Sequence, residues 1–68
     1  MSKTPRFPEA HVELVGQDGN AFGMIGRTQR ALRRAGATQE EITEFAEQAT
    51  SGDYANVIRT IHDWVEVD

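Results

Sequence analysis

A mainly α fold, a small three-helix domain closed by a short two-stranded β pairing of the chain ends (β-α-α-α-β), is predicted by three features of this 68-residue sequence. Apolar residues recur at helical spacing in three segments. Capping and glycine signals separate those segments. Alternating apolar and polar residues stand near both ends, as HVELV and VEVD. A chain this short forms one domain near the lower size limit for independent folding. It has no cysteine, so disulfides, thiolate metal sites and thiol chemistry are excluded. Stability must come from packed aliphatics, with self-association as a supplement.

Residues 1–10, MSKTPRFPEA, hold two prolines without periodicity and read as a flexible lead-in to a single domain over 11–68. The lead-in lacks the apolar core of a secretory signal, and no apolar run is long enough to span a membrane. A cytoplasmic location is the expectation. His11–Val15 alternates as a half-buried strand, and the turn residues GQDGN follow it. Its pairing with Val65–Asp68 is expected to be antiparallel.

The first helix is predicted within Asp18–Gly36, capped by Asp18 or Asn20 and ended by Gly36 in the left-handed conformation. At roughly 100° per residue, Ala21, Phe22, Ile25, Thr28, Leu32 and Ala35 gather on one side, with Met24, Gln29 and Ala31 at its edges. Arg27, Arg30, Arg33 and Arg34 fall opposite. Gly23 and Gly26 each weaken a helix interior by up to about 1 kcal/mol relative to alanine. They either delay the regular helix or allow another backbone to come close.

Thr38-Gln39-Glu40-Glu41 is a capping box that starts the second helix, and Ile42, Phe45, Ala46 and Ala49 form its buried face. Gly52 is expected to end it in the left-handed conformation, with Asp53 capping the third helix. There Tyr54, Val57, Ile58, Ile61, Trp64 and Val65 lie in one band. The predicted core is Val12, Leu14, Phe22, Ile25, Leu32, Ile42, Phe45, Val57, Ile58, Ile61, Trp64 and Val65.

No catalytic constellation emerges. His11 and His62 are the only histidines and lack a ligand spacing, although closure of the ends would bring His11 towards His62 and Asp63. Ser51 lies in a capping loop with no nucleophile-elbow motif around it. Glu40, Glu44 and Glu47 line an outer helix face, where carboxylates are solvated rather than tuned for acid–base work. Gly16, Gly19, Gly23 and Gly26 match neither a P-loop nor a dinucleotide fingerprint. Gly19-x-x-x-Gly23 has no membrane span to carry a dimer motif. The sequence therefore predicts neither an enzyme, a cofactor nor a metal.

Charge asymmetry is the main functional signal. Residues 1–36 carry six basic against three acidic side chains, a net of +3; residues 37–68 carry one against eight, a net of −7. Arg27, Arg30, Arg33 and Arg34, with Gly23 and Gly26 on the same side, form the candidate partner-binding face. Internal salt bridges to the acidic helices are one use for these arginines. Docking on an acidic patch of a protein partner is another, because the planar guanidinium pairs carboxylates bidentately. Nucleic-acid binding ranks lower: the chain is acidic overall and the candidate third recognition helix carries one arginine and two aspartates. A homodimer joining acidic helix 2 of one copy to basic helix 1 of another is a further option.

Taken together, GQDGNAFGMIGRTQRALRRAG, EEITEFAEQATSGDY and the terminal WVEVD resemble a group of short proteins encoded by actinobacterial phages and by some bacteria. The resemblance runs from about Val12 to the end of the chain. It implies a phage or prophage origin and expression inside the host cell, and brings no activity and no functional residues. By class analogy it suggests an accessory protein that binds a host protein; the arginine face makes an acidic surface on that protein the expected contact.

Overall fold

The structure, a computed structural model, describes residues 4–13 and 21–68. The elements run β1 (Phe7–Val12), α1 (Ala21–Arg34), α2 (Gln39–Ala49), α3 (Tyr54–Trp64) and β2 (Val65–Val67), the predicted β-α-α-α-β order. Leu14, Val15 and the proposed caps Asp18 and Asn20 lie outside the described residues.

The two strands pair, but in parallel, with Phe7 opposite Val65, His11 opposite Glu66 and Val12 opposite Val67. This corrects the antiparallel expectation. Hairpin logic favours antiparallel partners only across a short turn, whereas parallel strands need a long crossover. Here the crossover is the three helices. β1 also begins at Phe7, inside the stretch expected to be a flexible lead-in. The register is irregular between Phe7 and His11, and Pro8 falls there, where a missing N–H is tolerated.

What orders this early strand is Trp64. Its ring is stacked on Phe7, with centroids 6.0 Å apart and planes 12° from parallel, and meets Phe45 edge-on at 5.7 Å. The Arg6 guanidinium lies 4.3 Å from the ring centroid, and the indole N–H donates to Gln48 Oε1 at 3.0 Å. Arg6 Nη1 sits 3.3 Å from Glu44 Oε2 and Nη2 3.6 Å from Glu41 Oε2, while its backbone N–H donates to the Asp63 carbonyl. Sequence periodicity carries no trace of these contacts, because they are made by an aromatic and a cation rather than by a stripe.

Helix ends follow their chemistry. Gly36 takes φ 94°, with Ala37 N–H donating to Leu32 O and Gly36 N–H to Arg33 O, the two bonds of a Schellman motif. Thr38 Oγ1 accepts from Glu41 N–H at 3.1 Å and Glu41 Oε1 from Thr38 N–H at 2.8 Å, completing the capping box. Asp53 Oδ1 caps α3 by accepting from Asn56 N–H. The left-handed Gly52 does not occur: Gly36 alone has positive φ among the described glycines. Side chains satisfy the end of α2 instead. Thr50 and Ser51 hydroxyls donate to Ala46 O and Gln48 O, and Asn56 Nδ2 donates to Gln48 O.

Val12, Ile25, Leu32, Ile42, Phe45, Val57, Ile61, Trp64 and Val65 are buried as predicted, with Ile58 partly buried against them. Ala10, Met24 and Ala49 complete the apolar core. Thr28 is fully buried too, its hydroxyl donating to Met24 O at 2.9 Å. Phe22 is the error: it is 81% exposed. The buried arc of α1 centres on Thr28 and Leu32 and includes Met24, whereas Phe22 stands roughly 100° round the helix from that centre.

Candidate functional site

The four arginines of α1 are all exposed. Helical rotation divides them. Arg27, Arg30 and Arg34 fall within roughly 60° of one another, whereas Arg33 lies farther round, near Phe22 and Gly26. The structure matches this division: Arg27, Arg30 and Arg34 line an open groove of about 610 Å³ between α1 and β1, and Arg33 does not. Ala31 and Ala35 form its floor on the helix side.

The opposite wall is β1 and the residue after it, five consecutive positions from Glu9 to Glu13. Glu9, His11 and Glu13 are exposed, whereas Ala10 and Val12 turn into the core. The groove is therefore bipolar, with three cations on the helix wall and two carboxylates on the strand wall. Sequence reading had Glu9 in the lead-in and missed this wall. Alternation extended back from HVELV through Glu9 was the available signal.

Among the described residues, no ion pair involves Arg27, Arg30, Arg33 or Arg34. The acidic α2 residues Glu41 and Glu44 take Arg6 instead. The arginine face is thus exposed and is not used up by the described acidic residues. His11 Nδ1 lies 3.3 Å from Asp68 Oδ1, both side chains being more than half exposed, and the strand register places His11 opposite Glu66. No group of three or more histidines and acids among the described residues is arranged to hold a metal ion.

Both candidate glycines lie within α1. A Cβ built at Gly26 meets nothing within 4 Å, so no part of the described chain requires a glycine there. Gly23 is an exposed position within α1. A second, smaller groove of about 250 Å³ lies between the start of α1 and the α2–α3 junction, bordered by Phe22 and by Tyr54, which is 50% exposed. No described helix is long and apolar enough to cross a membrane.

No family model matches the chain, and neither a curated protein nor a solved structure is significantly similar to it.

Proposed function

We propose that the chain is a non-enzymatic protein-interaction module that docks an acidic segment of a partner against Arg27, Arg30 and Arg34. The carrying observation is that these three cations share one groove wall and form no ion pair among the described residues. That is notable in a chain with eleven aspartates and glutamates. Exposed arginines held on a rigid helix suit carboxylate recognition, because the guanidinium fork is preorganised and weakly hydrated. The resemblance to short phage proteins makes a host protein the partner class, with the cytoplasm of the host cell as the setting.

Nucleic acid suits the site less well. A phosphate backbone carries like charges at every step, and Glu9 and Glu13 face any occupant of the groove from the strand side. Self-association through α2 has reduced support as well, since Glu41 and Glu44 are engaged by Arg6.

The test is capture from host lysate with wild type and with Arg27, Arg30, Arg33 and Arg34 all replaced by glutamate. Circular dichroism checks that the variant is folded. The proposal expects a partner that the wild type retains at low salt and the variant loses. Identical captured sets would overturn it.

A further inference from the structure

We propose that the groove receives an extended polypeptide segment that adds as a third strand to the outer edge of β1, with acidic side chains at every second position. This rests on the arginine-face reading and specifies the conformation and charge pattern of the partner.

The backbone supplies the first argument. Asp68 N–H donates to Val12 O at 2.9 Å, so the backbone groups of Val12 face β2. Strand alternation then turns the N–H and C=O of His11 and Glu13 to the other edge. Outside the strand pairing, no backbone bond among the described residues involves these groups. The groove runs along that same edge, lined by consecutive strand residues rather than by one face of the strand. An unpaired edge is a template for strand addition, in which main-chain bonds supply affinity and alternate side chains supply specificity.

Charge supplies the second. A strand lying beside β1 presents alternate side chains inward, level with Ala10 and Val12, and outward, level with Glu9, His11 and Glu13. The inward set meets Arg27, Arg30 and Arg34; the outward set meets the carboxylates. Three alternate strand positions span about 13 Å, and Arg27 to Arg34 rises about 10.5 Å along the helix. Arginine side chains bridge that difference. The groove therefore selects glutamate or aspartate at inward positions and lysine or neutral residues at outward ones. A uniform polyanion satisfies one wall and is repelled by the other.

The experiment titrates the full-length protein with a capped heptapeptide of alternating glutamate and lysine, using calorimetry and amide chemical shifts. Four controls accompany it, among them the same residues in two blocks, the alternating peptide with its lysine amides N-methylated, and a short DNA duplex. N-methylation at every second residue blocks one hydrogen-bonding edge and keeps the charges. A second N-methylated peptide, modified at the glutamates, blocks the other edge.

Binding of the alternating peptide with shifts at Ala10–Glu13 and along α1 supports the proposal. So does a loss of about tenfold or more for one N-methylated form, as expected for two lost hydrogen bonds. Equal binding of both N-methylated forms overturns strand addition while leaving the arginine face intact. Equal binding of the block peptide or the duplex overturns the charge pattern. No binding by any peptide overturns the proposal. Unchanged binding after Arg27, Arg30 and Arg34 are replaced by glutamate overturns the arginine-face reading with it. A protein dimer that blocks the peptide and breaks on the same substitutions makes a second copy the occupant, and also overturns it.

Discussion

Replacing Phe7 with alanine separates an integral first strand from a flexible lead-in. Phe7 is partly buried and stacks on Trp64. A fully buried Phe→Ala change costs about 3–5 kcal/mol. Partial burial reduces that to roughly half, and the lost aromatic pair adds about 0.5–1.5 kcal/mol. The expected destabilisation is therefore about 2–4 kcal/mol. For a chain of this size total stability is on the order of 3–10 kcal/mol, so the loss is a large share. It corresponds to a fall in Tm of roughly 10–30 °C. Urea unfolding followed by fluorescence reads it directly, because Trp64 is the only tryptophan and is 3% exposed. The native emission of the variant should also shift to the red as the ring loses its cover. A change below about 0.5 kcal/mol, the scale of ordinary surface substitutions, with unaltered emission, would refute an ordered strand at Phe7.

Gly26→Ala should stabilise the free protein by up to about 1 kcal/mol in thermal unfolding, because the added methyl enters open space in a helix. If it destabilises, the helical backbone assigned to residue 26 is wrong. Gly36→Ala should act oppositely, losing about 1 kcal/mol at a residue held at φ 94°. Thr38→Ala should lose about 0.5–2 kcal/mol by opening the capping box, seen as a lower urea midpoint with an unchanged m-value. Arg6→Ala should lose about 1 kcal/mol in low salt through its Trp64 and glutamate contacts. Salt should narrow that difference by screening the exposed ion pairs, and a difference that grows with salt would contradict the pairing.

The parts of this fold that were legible in the sequence are those governed by local rules. The capping box at Thr38, the Asp53 cap and the Gly36 terminus depend on a few adjacent residues, and each stands where its residues indicate. The helix order and most of the core followed from 3.6-residue periodicity. What was not legible depends on distant contacts. The start of β1 needs Arg6 and Phe7 to find Trp64, some 57 residues away. The strand direction depends on the path of three helices. Phe22 shows the limit of periodicity itself: the wheel grouped it with Ile25 and Leu32 and its hydrophobicity argued for the core, but it lies at the far end of that side, beyond the arc that is buried. For the candidate site, the arginine wall was readable from the wheel and from the charge asymmetry. The acidic wall was hidden by the misread lead-in; the separation of Arg33 from the other three was already present in the helical rotation, and the position of β1 shows which of the two sides borders the groove.

The most direct measurement is a charge-swap titration at the centre of the groove. Calorimetry compares wild type with Arg30→Glu, each against the alternating glutamate–lysine heptapeptide and against the same peptide with its central glutamate changed to lysine. A specific carboxylate–guanidinium contact predicts that Arg30→Glu weakens binding of the first peptide by about tenfold or more, consistent with a charge-assisted hydrogen bond of about 1.5–3 kcal/mol. The swapped peptide should recover a measurable part of that loss, the coupling that a double-mutant cycle isolates. Equal affinities across all four combinations, or a loss that the swapped peptide does not recover, would contradict recognition of acidic side chains by the arginine wall.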